Sequence, residues 1–133
     1  MRASRYIFLY RYKDIIIVDM IEQKNRFHGH ASLKYVFAHG ELARGKILSV
    51  KYIHNPRRRN SRVAVIVSKK VLHDAVLRNR ARRRTYEIMR NYIPRLPSSV
   101  DIAVVIYSPE ILTISSDKLS HQVDQLLSKL NLI

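Results

Sequence analysis

A chain of 133 residues and 15.6 kDa is the size of a single domain. Apolar residues make up 47%, enough to bury a core, and the absence of Cys excludes a disulfide scaffold, a thiolate nucleophile and a thiolate metal site. With 25 Lys+Arg against 10 Asp+Glu the formal charge is +15, which points to a polyanionic partner; no apolar run approaches the roughly 18 residues that a membrane span requires.

Residues 1–19 read MRASRYIFLYRYKDIIIVD. The apolar run YIFLY is five residues long and is followed by Arg11 and Lys13, too short for a secretory signal. This stretch is therefore read as an N-terminal extension, either an added strand over 14–18 or a disordered segment, with Met20 as an alternative start. Residues 20–133 form one α+β domain. Residues 32–38 predict a short helix capped by Ser32, with Leu33, Val36 and Phe37 on one face and Gly40 as its stop. Residues 46–53 predict a strand with Leu48, Val50 and Tyr52 on one side and Ile47, Ser49 and Lys51 on the other. His54-Asn55-Pro56, then Arg57, Arg58, Arg59 and Asn60-Ser61, form a loop.

Residues 62–68 (RVAVIVS) are apolar on both sides and predict a central strand. Asp74 is the N-cap of a helix to about Tyr92, closed before Pro94. Residues 100–107 predict another buried strand. Ser115 or Ser116 caps a final helix whose apolar stripe is Leu119, Val123, Leu126, Leu127 and Leu130. The order is α-β-β-α-β-α, with a further strand expected within 41–61, and the fold class is helices on a small mixed sheet.

Charge is concentrated. From Arg57 to Arg90 there are 12 basic residues and two acids, Asp74 and Glu87. In the helix over 75–92, Asn79, Arg80, Arg83, Arg84, Glu87, Arg90 and Asn91 share an arc of roughly 140°. The opposite arc carries Ala75, Leu77, Ala81, Tyr86, Ile88, Met89 and Tyr92. Arg78 and Arg82 stand at its start, either snorkelling outward along their stems or on turns that project beyond the sheet. Guanidinium forks match phosphate oxygens and stay charged, and Asn79 adds a donor and an acceptor. A solvated face would mix charge signs, and an acidic lipid surface would need an exposed apolar side. The sign imbalance favours nucleic acid. With no short helix and tight turn ahead of it, the helix suits irregular RNA better than a DNA major groove.

Nothing here builds a protein nuclease. The carboxylates are scattered, and His28-x-His30 has no third ligand, so no metal site and no catalytic side chain are expected. Three Gly do not make a phosphate loop. The side chains can bind and position, while hydrolysis needs another source.

Lys69-Lys70, then Arg78-Asn79-Arg80-Ala81-Arg82-Arg83 and Glu87, resemble the signature of the bacterial ribonuclease P protein component. Arg26-Phe27, Leu33-Lys34-Tyr35-Val36-Phe37 and His39-Gly40 resemble the family's upstream elements at the same spacing. Three positions depart from the pattern: Tyr86 stands where an Arg is usual, Leu33 replaces an aromatic and Phe27 replaces Leu. The 19 residues before Met20 have no counterpart in the family.

The resemblance implies a two-layer α-β-β-β-α-β-α sandwich with a left-handed βαβ crossover. It also implies a cytoplasmic subunit of a ribonucleoprotein that removes the 5′ leader from precursor tRNA. The catalyst would be the ribonuclease P RNA with Mg²⁺ held mainly by that RNA, and no small-molecule cofactor or membrane is implied. On this reading Lys69, Lys70, Arg78, Asn79, Arg80, Arg82, Arg83, Arg84 and Arg90 bind RNA. Leu33, Phe37 and Tyr52 line a cleft for the single-stranded leader, with Phe37 either core or cleft wall. Arg57, Arg58, Arg59 and Arg62 add phosphate contacts, or the loop arginines serve solubility alone. The competing reading is a non-catalytic RNA-binding module such as a ribosomal protein or an RNA chaperone.

Overall fold

The computed structural model describes residues 7–9, 16–18, 30–57, 59–97 and 99–133. Two short strands, β1 (Ile7–Leu9) and β2 (Ile16–Val18), pair antiparallel. Then follow α1 (His30–His39), β3 (Glu41–Arg44), β4 (Leu48–His54), β5 (Arg62–Val67), α2 (Ala75–Tyr92), β6 (Val100–Ile106) and α3 (Ser116–Lys129). From α1 onward the order is α-β-β-β-α-β-α, and β3 is the further strand expected within 41–61. β2 falls inside the 14–18 stretch, while β1 takes up part of YIFLY. Met20, Arg26, Phe27 and His28 lie outside the described residues.

The second sheet has the order β3-β4-β6-β5. β4 pairs antiparallel with β3 and β6, and β5 pairs parallel with β6, so the sheet is mixed. The register aligns Val50 with Val104 and Val65 with Val104, which puts Leu48, Val50, Val63, Val65, Val67, Ile102 and Ile106 on one face. That face and the apolar sides of α2 and α3 form the main core, where Ala81, Tyr86, Met89, Leu119, Val123 and Leu127 are fully buried. The helix α1 packs on β4 and β6. Its Leu33 and Val36 meet Ala64, Ile66 and Ala103, which have the opposite pleat parity, so α1 covers the other face.

Two local expectations need correction. Ser32 does not cap α1, because the helix starts two residues earlier at His30 and Ser32 lies in its first turn. β5 is an edge strand rather than a central one, although all six of its residues are buried. Its two-sided apolar pattern reports cover on both faces: α2 on one, the α1 cluster on the other, and β2 close by. Two-sided burial and a central position are usually linked, but burial alone sets the pattern. At the edge the Val65 N–H donates to Tyr86 Oη (3.2 Å), which satisfies a backbone group from a side chain. Tyr86 thus occupies a core place.

Gly40 joins α1 to β3. Its N–H donates to Val36 O (2.8 Å), and a Cβ there would stand 2.6 Å from that oxygen and 2.7 Å from Tyr52 O. The junction therefore requires a residue without a side chain.

Candidate nucleic-acid interface

α2 begins where Asp74 accepts a hydrogen bond from Val76 N (2.8 Å), and a short 3-10 turn over Ile93–Arg95 closes it at Pro94. Its inner side packs on β5, so its outer side is fixed in direction. Arg80, Arg83 and Arg90 are exposed on that side, with Lys69 and Lys70 exposed in the turn after β5. Val76 is also exposed there, at 65%. Arg90 donates to both carboxylate oxygens of Glu87, an exposed pair that contributes little to stability. The outcome is a basic ridge centred on Arg80 and Arg83, with the Glu87 carboxylate taken up by Arg90.

The remaining arginines of the motif turn inward. Arg78 is buried, and its Nη1 donates to Leu72 O (3.0 Å) and His73 O (2.8 Å), clamping the turn that carries the two lysines. Arg82 has no exposed surface, and its Nη2 donates to Asn79 Oδ1 (2.5 Å). Burial, partly offset by Tyr86 and reinforced by the nearby Arg78 charge, pushes the pKa of the Arg82 guanidinium down from its ordinary value to about 10. Arg84 is half-buried and donates to Ile111 O (2.6 Å) and Ile114 O (2.5 Å), tying α2 to the chain ahead of α3. Periodicity placed Arg84 on the outer arc, but its long stem lets the fork turn back to open carbonyls. Asn79 is half-buried beside Arg80.

The loop arginines also divide. Arg57 and Arg59 are exposed, while Arg58 lies outside the described residues. Arg62 is buried and makes a two-point ion pair with Asp101: Nε to Oδ1 at 2.8 Å and Nη2 to Oδ2 at 2.7 Å. It is a structural cation, not a phosphate contact, because strand pairing sets it directly beside Asp101. Asn55 Nδ2 donates to the same carboxylate (3.0 Å), which anchors the start of the loop.

Of the three expected cleft residues, Leu33 and Phe37 share the α1 cluster and Tyr52 lies on the other face of the sheet. Leu33 is core, at 1% exposure, and Phe37 is half-buried against the α1 cluster. Tyr52 shares its pleat parity with Leu48 and Val50 and therefore packs on the α2/α3 side of the sheet. Residues of the opposite parity face α1: Lys51 Nζ donates to Phe37 O (2.5 Å), and Ile53 joins the α1 cluster. An open cleft of about 450 Å³ does lie between α1 and the β4–β5 loop, lined by Ser32, Tyr35, His54, Asn55, Pro56, Arg57 and Asp101. Tyr35 is 55% exposed, and its ring centroid lies 4.6 Å from that of His39. The signal for Tyr35 was present in the sequence, since it is out of phase with the Leu33–Val36–Phe37 stripe. A larger groove of about 940 Å³ between the β3–β4 turn and α3 mixes both signs, with Arg44, Lys46, Lys118 and Lys129 beside Asp117 and Asp124.

The family model described as Ribonuclease P matches residues 21–131 of this chain. A ribonuclease P protein component from Pseudanabaena sp. is 32% identical over 87 residues, covering 65% of this chain and 75% of that protein. One from Thermus brockianus is 38% identical over 94 residues, covering 71% of this chain and 53% of that protein. Among solved structures, the ribonuclease P protein of Staphylococcus aureus superposes with a TM-score of 0.71 at 19% identity, covering 81% of this chain and 96% of that one. That last likeness concerns the fold.

Proposed function

The chain belongs to the ribonuclease P protein family, and from that premise we propose that its α2 ridge binds the RNA subunit while the cleft beside α1 takes the 5′ leader of precursor tRNA. The observation that carries this reading is the ridge of Lys69, Lys70, Arg80 and Arg83, exposed and of one sign. Such a surface neutralises phosphates and releases their counterions. At the cleft, Tyr35 offers an aromatic face for a base and Arg57 a charge for its phosphate.

Magnesium chemistry in this scheme belongs to the RNA. The ridge does not fit a divalent cation: its donors are cationic, and Glu87 is paired with Arg90. The protein's part is to hold the substrate and the RNA in register. A ribonucleoprotein of this kind would work in the cytoplasm, where precursor tRNA is processed.

Reconstitution tests the reading. Purified protein, the host's ribonuclease P RNA and a precursor tRNA are combined at low Mg²⁺, with protein-alone and RNA-alone controls. Accurate 5′ cleavage is expected only in the full mixture. Tight binding to both RNAs without stimulation would instead favour a plain RNA-binding module.

A further inference from the structure

Resting on that RNA-binding reading, we propose that Arg82 is a positioning residue, which holds the Asn79 carboxamide so that its NH₂ group faces the RNA. Helical side chains lean toward the N-terminus, so Arg82 reaches back to position 79. Its Nη2 donates to Asn79 Oδ1 at 2.5 Å. Arginine has no acceptor, so it can engage only the oxygen end of the amide. The nitrogen end is thereby turned away from Arg82, and Nδ2 has no partner among the described residues. Asn79 adjoins Arg80, and Arg83 lies one turn further along, so the oriented donor sits within the ridge.

Stability does not account for a guanidinium at this place. Arg82 is fully buried, and its Nε and Nη1 have no hydrogen-bond partner among the described residues. Arg78, also buried, leaves its Nε without a partner among the described residues. An apolar side chain would fill the same space without stranding donors. What an apolar residue could not do is fix the amide of Asn79. A fixed donor selects for an oxygen acceptor on the RNA backbone and rejects the flipped amide, which would present oxygen to oxygen.

A double-mutant cycle on the full chain tests this, using a transcribed ribonuclease P RNA and affinity measured across a salt series. N79A is expected to weaken binding about three- to ten-fold, the effect of one hydrogen bond. R82M is expected to give a similar loss, and R82M/N79A no further loss. R82M should keep the wild-type salt slope, whereas R83A should lower it by about 0.7–0.9. Additive losses would show that Arg82 acts independently of Asn79, and a lowered slope in R82M that it acts through its charge; either would overturn the proposal, as would wild-type affinity in N79A. N79D serves if R82M does not fold: its carboxylate still accepts from Arg82 but has no donor, so it should bind no better than N79A, and wild-type binding would again overturn the proposal. Unchanged affinity and slope in both R80A and R83A would instead refute the RNA-binding face, an outcome separate from the role of Arg82.

Discussion

Arg62 and Arg83 carry the same charge, yet their loss should be felt in different measurements. Arg62 is buried against Asp101, and removing it leaves an uncompensated carboxylate inside the protein. R62A should therefore cost about 3–5 kcal/mol in urea unfolding, with little change in the salt slope of RNA binding. Arg83 is exposed on α2. R83A should stay within about 0.5 kcal/mol of wild-type stability and instead weaken RNA binding with a shallower salt slope. A stable R62A protein with a reduced slope would reverse the two assignments. Sequence could place all these arginines in one basic segment, but it could not sort them. The sorting depends on which carbonyl or carboxylate lies within reach of each fork, and for Arg84 and Arg62 those partners are 27 and 39 residues away.

At the level of elements, α2 was legible almost in full. Its Asp74 cap, its length and its end before Pro94 follow from local chemistry, and its amphipathic pattern is regular. α1 was legible only in its stripe: Leu33 and Val36 bury as expected, but the start and the cleft partners do not follow from the helix alone. Its position on the sheet depends on the Gly40 junction. G40A would bring a Cβ to 2.6 Å from Val36 O and 2.7 Å from Tyr52 O. The chain must shift to relieve this, at a cost of about 1–3 kcal/mol. The same shift would widen or close the cleft lined by Ser32 and Tyr35. Thermal unfolding and leader cross-linking at Tyr35 should both respond, while RNA binding through α2 should not.

For the whole molecule, the β1–β2 pair adds to the α-β-β-β-α-β-α body, with β2 beside β5 and α2. A chain truncated to begin at Met20 would lose both strands and the contacts of β2 with β5 and α2. It should keep its affinity for RNA, because Lys69, Lys70, Arg80 and Arg83 all remain. Its melting temperature should fall. An unchanged melting temperature would show that the pair packs too weakly to matter, and lost affinity would place residues 1–19 in the RNA contact.

Sequence alone determined the α+β class, the long capped α2, the apolar stripes of α2 and α3, the concentration of positive charge and the family resemblance. Each of these is written in local spacing or in a contiguous motif. Tertiary structure decided that β5 lies at the sheet edge, that Tyr52 faces away from α1, and that Arg62, Arg78, Arg82 and Arg84 turn inward while Arg80 and Arg83 stay exposed. Those outcomes depend on strand order and on long-range partners. A long, flexible guanidinium takes whichever acceptors the fold brings within its reach.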